Sequence, residues 1–170
     1  MTNINDYKKR FYNLMESTMG DSKPLIKENP DPTDVNPKIT TALQGVATFY
    51  NNSLNQYYTK NPNKKPNPVT TFSVKKTTGY KDANGELEAV WKPYFGDTEL
   101  NVDGLRLNAI YDYQFKAVPT MKNAVNTFII DPIMRKMVSI DGATRVNTTP
   151  SNTAVTAITN ILKQVNPTRP

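Results

Sequence analysis

The sequence predicts an α+β fold: an antiparallel β-meander of about five strands with helices packed on one face, plus a separable N-terminal helix. Three observations lead there. Apolar residues recur at helical spacing over residues 39–57 and again over 154–165, and between these stretches residues 105–118 alternate apolar and polar. The segment 82–86 centres on Asn84-Gly85, the strongest short hairpin signal. Ahead of all this, Pro30, Pro32 and Pro37 interleave with Asn29, Asp31, Asp34 and Asn36, a composition that favours extended, solvated backbone.

In chain order, residues 6–17 read as a short amphipathic helix, with Tyr7, Phe11, Leu14 and Met15 on one face and Lys8, Lys9 and Arg10 on the other; Gly20 and Pro24 stop it. Asn36 is placed as the N-cap and Pro37 as the first residue of a second helix, whose face runs through Ile39, Leu43, Val46, Tyr50, Leu54 and Tyr57. Residues 60–68 form a basic, Pro-rich loop. Residues 69–76 begin a hairpin, and a two-residue Asn-Gly turn sets Lys81 opposite Glu88. Leu87, Ala89 and Trp91 share a face of the returning strand, which Pro93 is expected to end. Residues 105–118 read as the longest strand, residues 126–131 and 136–140 as two more with Asp141-Gly142 as a turn; a helical turn over 133–137 is the alternative for that stretch. Ser151 is read as the cap of a last helix carrying Ala154, Val155, Ile158, Ile161, Leu162 and Val165, and Asn166-Pro167 ends it. The organisation is then a leader at 1–28, a linker at 29–36, one α+β domain at 37–166 and a tail at 167–170.

Composition narrows the chemistry. The 170 residues contain no Cys and no His, so a disulfide framework, a thiol nucleophile, a thiolate metal site and an imidazole base are all excluded. No apolar run reaches the length of a membrane span, and the basic N-terminus lacks the apolar core of a secretory signal. Lys and Arg number 21 against 15 Asp and Glu, a formal net charge of +6 that suits contact with nucleic acid or an acidic surface. The charge is segregated: Lys60, Lys64, Lys65, Lys75 and Lys76 have no acid among them, whereas Asp82, Glu86, Glu88, Asp97, Glu99 and Asp103 follow with few cations between. Those five lysines are the candidate contacts to a phosphate backbone; the plainer reading folds the acidic segment back onto the basic one.

Catalytic patterns are nearly missing. The seven glycines are scattered, so no phosphate-cradling loop exists. Ser73-Val74-Lys75-Lys76 spells Ser-x-x-Lys, but on a strand residues three apart point to opposite faces. Glu99, Asn101 and Asp103 with Gly104 resemble the start of a calcium loop, yet the closing carboxylate position falls on Ile110, so no metal is expected. The chain is therefore read as non-enzymatic and without cofactor.

Residues 9–26, running Lys9-Arg10-Phe11-Tyr12-Asn13-Leu14-Met15-Glu16 and on to Pro24-Leu25-Ile26, resemble the short leaders on proteins of large tailed phages. Leu14-Met15-Glu16 and Ile26-Lys27-Glu28 look like the Leu/Ile-x-Glu recognition pattern of the prohead proteases of T-even-like phages. The other three glutamates, Glu86, Glu88 and Glu99, lack Leu or Ile two positions earlier, so both matches fall in the leader. The resemblance implies proteolytic processing at Leu14–Glu16 and Ile26–Glu28. It also implies a virion structural or head-packaged protein: capsid-internal, decoration, neck or tail. Its partners would be other virion proteins in a homo- or hetero-oligomeric assembly, with no membrane, and it would reside in the virion and, during assembly, in the host cytoplasm. The alternative is a basic nucleic-acid-binding accessory protein. A third reading, a carbohydrate- or protein-binding surface built on Trp91, Tyr111 and Tyr113, places its ligand on predicted core faces and ranks last.

Overall fold

The computed structural model describes residues 32–81, 85–107, 120–142 and 145–165. The first described element is a long helix, α1 (Pro32–Lys60). Val35, Ile39, Leu43, Val46, Tyr50, Leu54 and Tyr58 recur at three- and four-residue intervals along it, and all are buried. The helix starts earlier than the Asn36-Pro37 cap predicts, so residues 32–36 of the expected linker are helical and Pro37 lies inside the helix. Proline so near a helix start removes only one backbone hydrogen bond, and Val35, 2% exposed, gives the extra turn a place in the core. The apolar stripe also ends on Tyr58, four residues after Leu54, while Tyr57 is only half-buried.

Among the described residues the sheet has four antiparallel strands: β1 (Phe72–Lys81), β2 (Leu87–Phe95), β3 (Thr98–Glu99) and β4 (Leu105–Arg106). The central strand is β2, with β1 on one side and both β3 and β4 on the other. Phe72, Val74, Ala89, Trp91 and Leu105 face the helices and join their core, whereas Lys75, Thr77, Lys92 and Tyr94 fall on the opposite face. The fold is therefore α+β, with the helices on one face of the sheet.

The hairpin forms, but in a different register. Tyr80 lies opposite Glu88 and Lys81 opposite Leu87, because the ladder shifts between Thr78 and Tyr80 and leaves Gly79 as the extra residue of a bulge. The predicted Lys81–Glu88 pair is thereby corrected. Strand β2 also runs through Pro93 to Phe95 instead of stopping there. Proline is admitted because Pro93 falls between the β4 partners Val90 and Trp91 and the β3 partners Tyr94 and Phe95, where no ladder bond needs its missing N–H. Its carbonyl accepts from the Leu100 N–H at 2.9 Å.

The predicted strands at 126–131 and 136–140 are helical. Helix α2 (Met121–Val125), a π-helical turn (Asn126–Ile130) and helix α3 (Asp131–Asp141) follow one another with right-handed helical backbone at each junction. The start is capped by Thr120, whose hydroxyl accepts from the Asn123 N–H at 3.1 Å. Ile129, Ile130, Ile133, Met134 and Met137 are all buried, a helical stripe that the strand-like run Thr127-Phe128-Ile129-Ile130 conceals. Phe128 O has no ordinary partner four residues on, since residue 132 is proline; the Asn101 side-chain amide donates to it instead, at 3.2 Å. Gly142, at φ 71°, ends the helix as a left-handed cap, not a hairpin turn.

The last helix, α4 (Thr149–Val165), begins before the predicted cap. The Asn147 side chain accepts from the Thr149 N–H at 3.0 Å and Asn152 N–H donates to Thr148 O, so Ser151 sits inside the helix, fully buried. Helix α4 packs on α1, with Ala154 and Ile158 in the shared core. The leader, most of the predicted 105–118 strand and the tail lie outside the described residues; within them β4 covers only Leu105–Arg106.

Two polar ties join helix to sheet. Asn51 of α1 donates from Nδ2 to Phe72 O at 2.9 Å and accepts from Phe72 N–H at 2.7 Å. Its amide thus meets β1 as a neighbouring strand would. Further back along α1, Thr40 Oγ1 accepts from Trp91 Nε1 at 2.9 Å and donates to Asn36 O. Trp91 pairs with Lys76, so β1 runs antiparallel to α1.

Candidate functional site

The predicted lysines divide between two places. The C-terminus of α1 closes on Asn61, whose backbone N–H and side-chain amide both donate to Tyr57 O, at 2.9 and 3.0 Å. A 3₁₀ turn (Pro62–Lys64) follows, held by Lys64 N–H to Asn61 O and Lys65 N–H to Pro62 O. This compact end presents Lys60, Lys64 and Lys65 together, all exposed. Lys64 Nζ stands 5.8 Å from the centre of the Tyr57 ring. Among the described residues no carboxylate lies within ion-pair distance of these three. Their position also complements the negative end of the α1 dipole, a structural role that needs no ligand.

Beside them opens a concavity of about 440 Å³ lined by Asn55, Tyr58, Thr59, Pro62 and Lys65. Tyr58 is 5% exposed, and its phenol has no hydrogen-bond partner among the described residues. Burial, reinforced by the neighbouring Tyr57, pushes its pKa above the ordinary phenol value, so it stays a proton donor at neutral pH. The Thr59 hydroxyl donates to Asn55 O at 2.9 Å.

Lys75 and Lys76 are elsewhere. With β1 antiparallel to α1, nine helical residues separate Lys60 from the Asn51–Phe72 tie and four strand residues separate Phe72 from Lys76; the two ends are roughly 25 Å apart along that axis. Lys75 and Lys76 also point to opposite faces of the sheet. Lys75 stands 4.7 Å from the Tyr94 ring and 4.0 Å from the Asp97 carboxylate. The five lysines do not form one patch, and Lys75 already has partners.

The acids of the loop after β2 turn to the same face. Glu99 accepts from Lys92 Nζ at 3.1 Å and from the Tyr94 phenol at 3.2 Å. The Tyr94 pKa is pushed up first by burial, then by its bond to Glu99 and that carboxylate's charge, against a lowering by Lys92. Asn101 spends its amide on Phe128 O and its oxygen on the Asp103 N–H at 3.2 Å. Of the residues that resemble a calcium loop, the Glu99 and Asn101 side chains are thus engaged within the protein. Ser73 and Lys76 lie on an extended strand and face opposite ways, so the Ser-x-x-Lys letters carry no dyad.

Leu14, Glu16, Ile26 and Glu28 lie outside the described residues, as do Tyr111 and Tyr113. Trp91 is fully buried and donates to Thr40, which removes it as a surface platform. The residues that sequence reading missed are Tyr58 and Asn55. Spacing could have found Tyr58, since it continues the stripe four residues after Leu54; the adjacent Tyr57 fits a three-residue step equally well. No helix among the described residues is long and apolar enough to cross a membrane. Compared with known protein families, curated proteins and solved structures, the chain matches none of them.

Proposed function

We propose that this chain is a non-enzymatic structural component of a tailed-phage particle, brought to the immature head by its leader and freed by cleavage after Glu16 or Glu28. The observation that carries the reading joins sequence to fold. Both Leu/Ile-x-Glu motifs end before the described core begins, Glu28 standing seven residues ahead of Val35, the first buried residue among those described. A cut at either place leaves every described core contact in the product. Incubating the full chain with a prohead protease of the T-even-like type tests this by intact mass. Products starting at Ser17 or Asn29 that melt within a few degrees of the uncut chain support it. A chain left whole removes the processing argument, and a product that loses its cooperative melt puts the leader in the core.

A second reading, nucleic-acid binding, is favoured by one feature: Lys60, Lys64 and Lys65 stand together at the end of α1 without a carboxylate partner among the described residues. Salt-dependent binding to generic DNA is its test, and no binding at low salt overturns it.

A further inference from the structure

We propose that the concavity formed by Asn55, Tyr58, Thr59, Pro62 and Lys65 is a binding site for a single nucleoside phosphate unit, presented by a single strand or free in solution. This rests on the nucleic-acid reading of the lysine end and adds to it a specific pocket and a residue that recognises the ligand.

Four features select this chemistry. The polar lining is cationic or neutral: Lys65, Asn55 and Tyr58 border one space, flanked by Lys60 and Lys64. No Asp or Glu occurs in the sequence from Val35 to Lys81, so the elements building the site bring no local negative charge to repel an anion. Tyr58 packs its ring into the core at the base of the concavity, and its solvent-reached hydroxyl, which makes no hydrogen bond among the described residues, is available to donate to a bound oxygen. Pro62 and the edge of Tyr58 supply apolar surface against which a sugar or base can rest.

The shape separates one strand from two. At about 440 Å³ the concavity is within the roughly 300–1,000 Å³ of small-ligand sites. A duplex keeps its phosphates on a convex ridge and its sugars and bases behind them, so it can touch the lysines without filling the pocket. A single strand can turn one nucleotide in. Lys64 over Tyr57 lies beside the pocket, where the adjacent phosphate of such a strand would pass.

Fluorescence anisotropy with a labelled twelve-residue oligothymidylate, the same sequence as a duplex, and competition by thymidine monophosphate tests the proposal on the full chain. The expected order is single strand tighter than duplex, with the mononucleotide competing at higher concentration. Tyr58→Phe keeps the ring and removes only the hydroxyl; it should weaken single-strand binding about tenfold with an unchanged melting temperature. Lys65→Ala should reduce the slope of log affinity against log salt by about 0.7. Lys122→Ala, an exposed lysine on α2, is the control and should leave binding as it is. Single-strand binding that Tyr58→Phe leaves unchanged would overturn the pocket while sparing the nucleic-acid reading. Absence of binding to every probe at low salt would overturn both. Direct binding of thymidine monophosphate, read by calorimetry, without strand binding would keep the pocket and assign it to a free nucleotide.

Discussion

Replacing Asn51 by Ala isolates the device that seats the sheet on the long helix. The substitution deletes two hydrogen bonds, 2.9 Å to Phe72 O and 2.7 Å from Phe72 N–H, without touching the apolar stripe of α1. A net contribution of about 0.5–1.5 kcal/mol each sets the scale. Both bonds are only partly buried, so water can replace some of what is lost, and a total of about 1–2 kcal/mol is expected. For a chain of this size that lowers Tm by roughly 3–8 °C. The same argument predicts a local effect. In an antiparallel pair, residues alternate between facing the partner strand and facing away. Thr71 O turns toward β2, where it accepts from Gly96 N–H at 2.9 Å, so Phe72 turns outward and Asn51 is what protects its amide. Amide exchange at Phe72 should therefore accelerate about tenfold in Asn51→Ala, while amides on the β2 side of the ladder change only with global stability. Asn52→Ala, an exposed neighbour on the same helix, corrects for the change in helix propensity. If the two variants melt together and the Phe72 amide exchanges at the same rate in both, the side-chain bridge does not hold β1 to α1.

Three further outcomes follow from the packing. Gly104→Ala should destabilise by about 2–4 kcal/mol in chemical denaturation. At φ 62° its Cβ would stand 2.7 Å from Val90 Cγ1 and Lys92 Cγ and 2.8 Å from Trp91 O; Gly85→Ala, at φ 84° with nothing within 4 Å, should cost only about 1–2 kcal/mol. Thr40→Val leaves the buried Trp91 Nε1 without its acceptor and should cost about 1–3 kcal/mol, read from the fluorescence of the chain's one tryptophan, with Thr40→Ser restoring most of it. Tyr50 is almost fully buried, and burial followed by the charge of Asp131 pushes its phenol up to about 12. A folded pKa raised above the unfolded one means this stabilisation is complete below about pH 10 and is lost as pH rises through about 12. It is worth about 2–3 kcal/mol, so denaturant stability should fall between pH 10 and 12 more steeply in the wild type than in Tyr50→Phe, and parallel profiles would refute it.

Much of the helical architecture could be read from spacing alone. In α1 and α4 the apolar positions recur over many turns, so a one-residue error cannot hide the period; Ile39, Leu43, Val46, Leu54, Ala154 and Ile158 are all buried where the stripe puts them. The sheet's inward face was equally legible at Ala89 and Trp91. Between residues 126 and 140 the strand reading failed, because a short run of apolar and β-branched letters suits a strand and a buried helix equally; the alternative helical turn over 133–137 is the one that forms. The Thr120 cap and the burial of Ile133 and Met137 decide for helix.

Of the candidate site, the sequence held the three lysines near residue 62 but not their separation from Lys75 and Lys76, since nearness in sequence says nothing of which way β1 runs along α1. By itself the sequence determined composition, charge segregation, the missing thiol and imidazole chemistry, and which faces are apolar. Those properties belong to residues taken one at a time or at fixed local spacing. Only the tertiary structure decided that Gly79 bulges and shifts the hairpin register, that Pro93 fits within a strand, that Asn101 takes the carbonyl Pro132 leaves open, and that Tyr58 lines a concavity. Each depends on where a distant partner stands, and the free energy of a hydrogen bond or a filled gap is realised only when both partners arrive together.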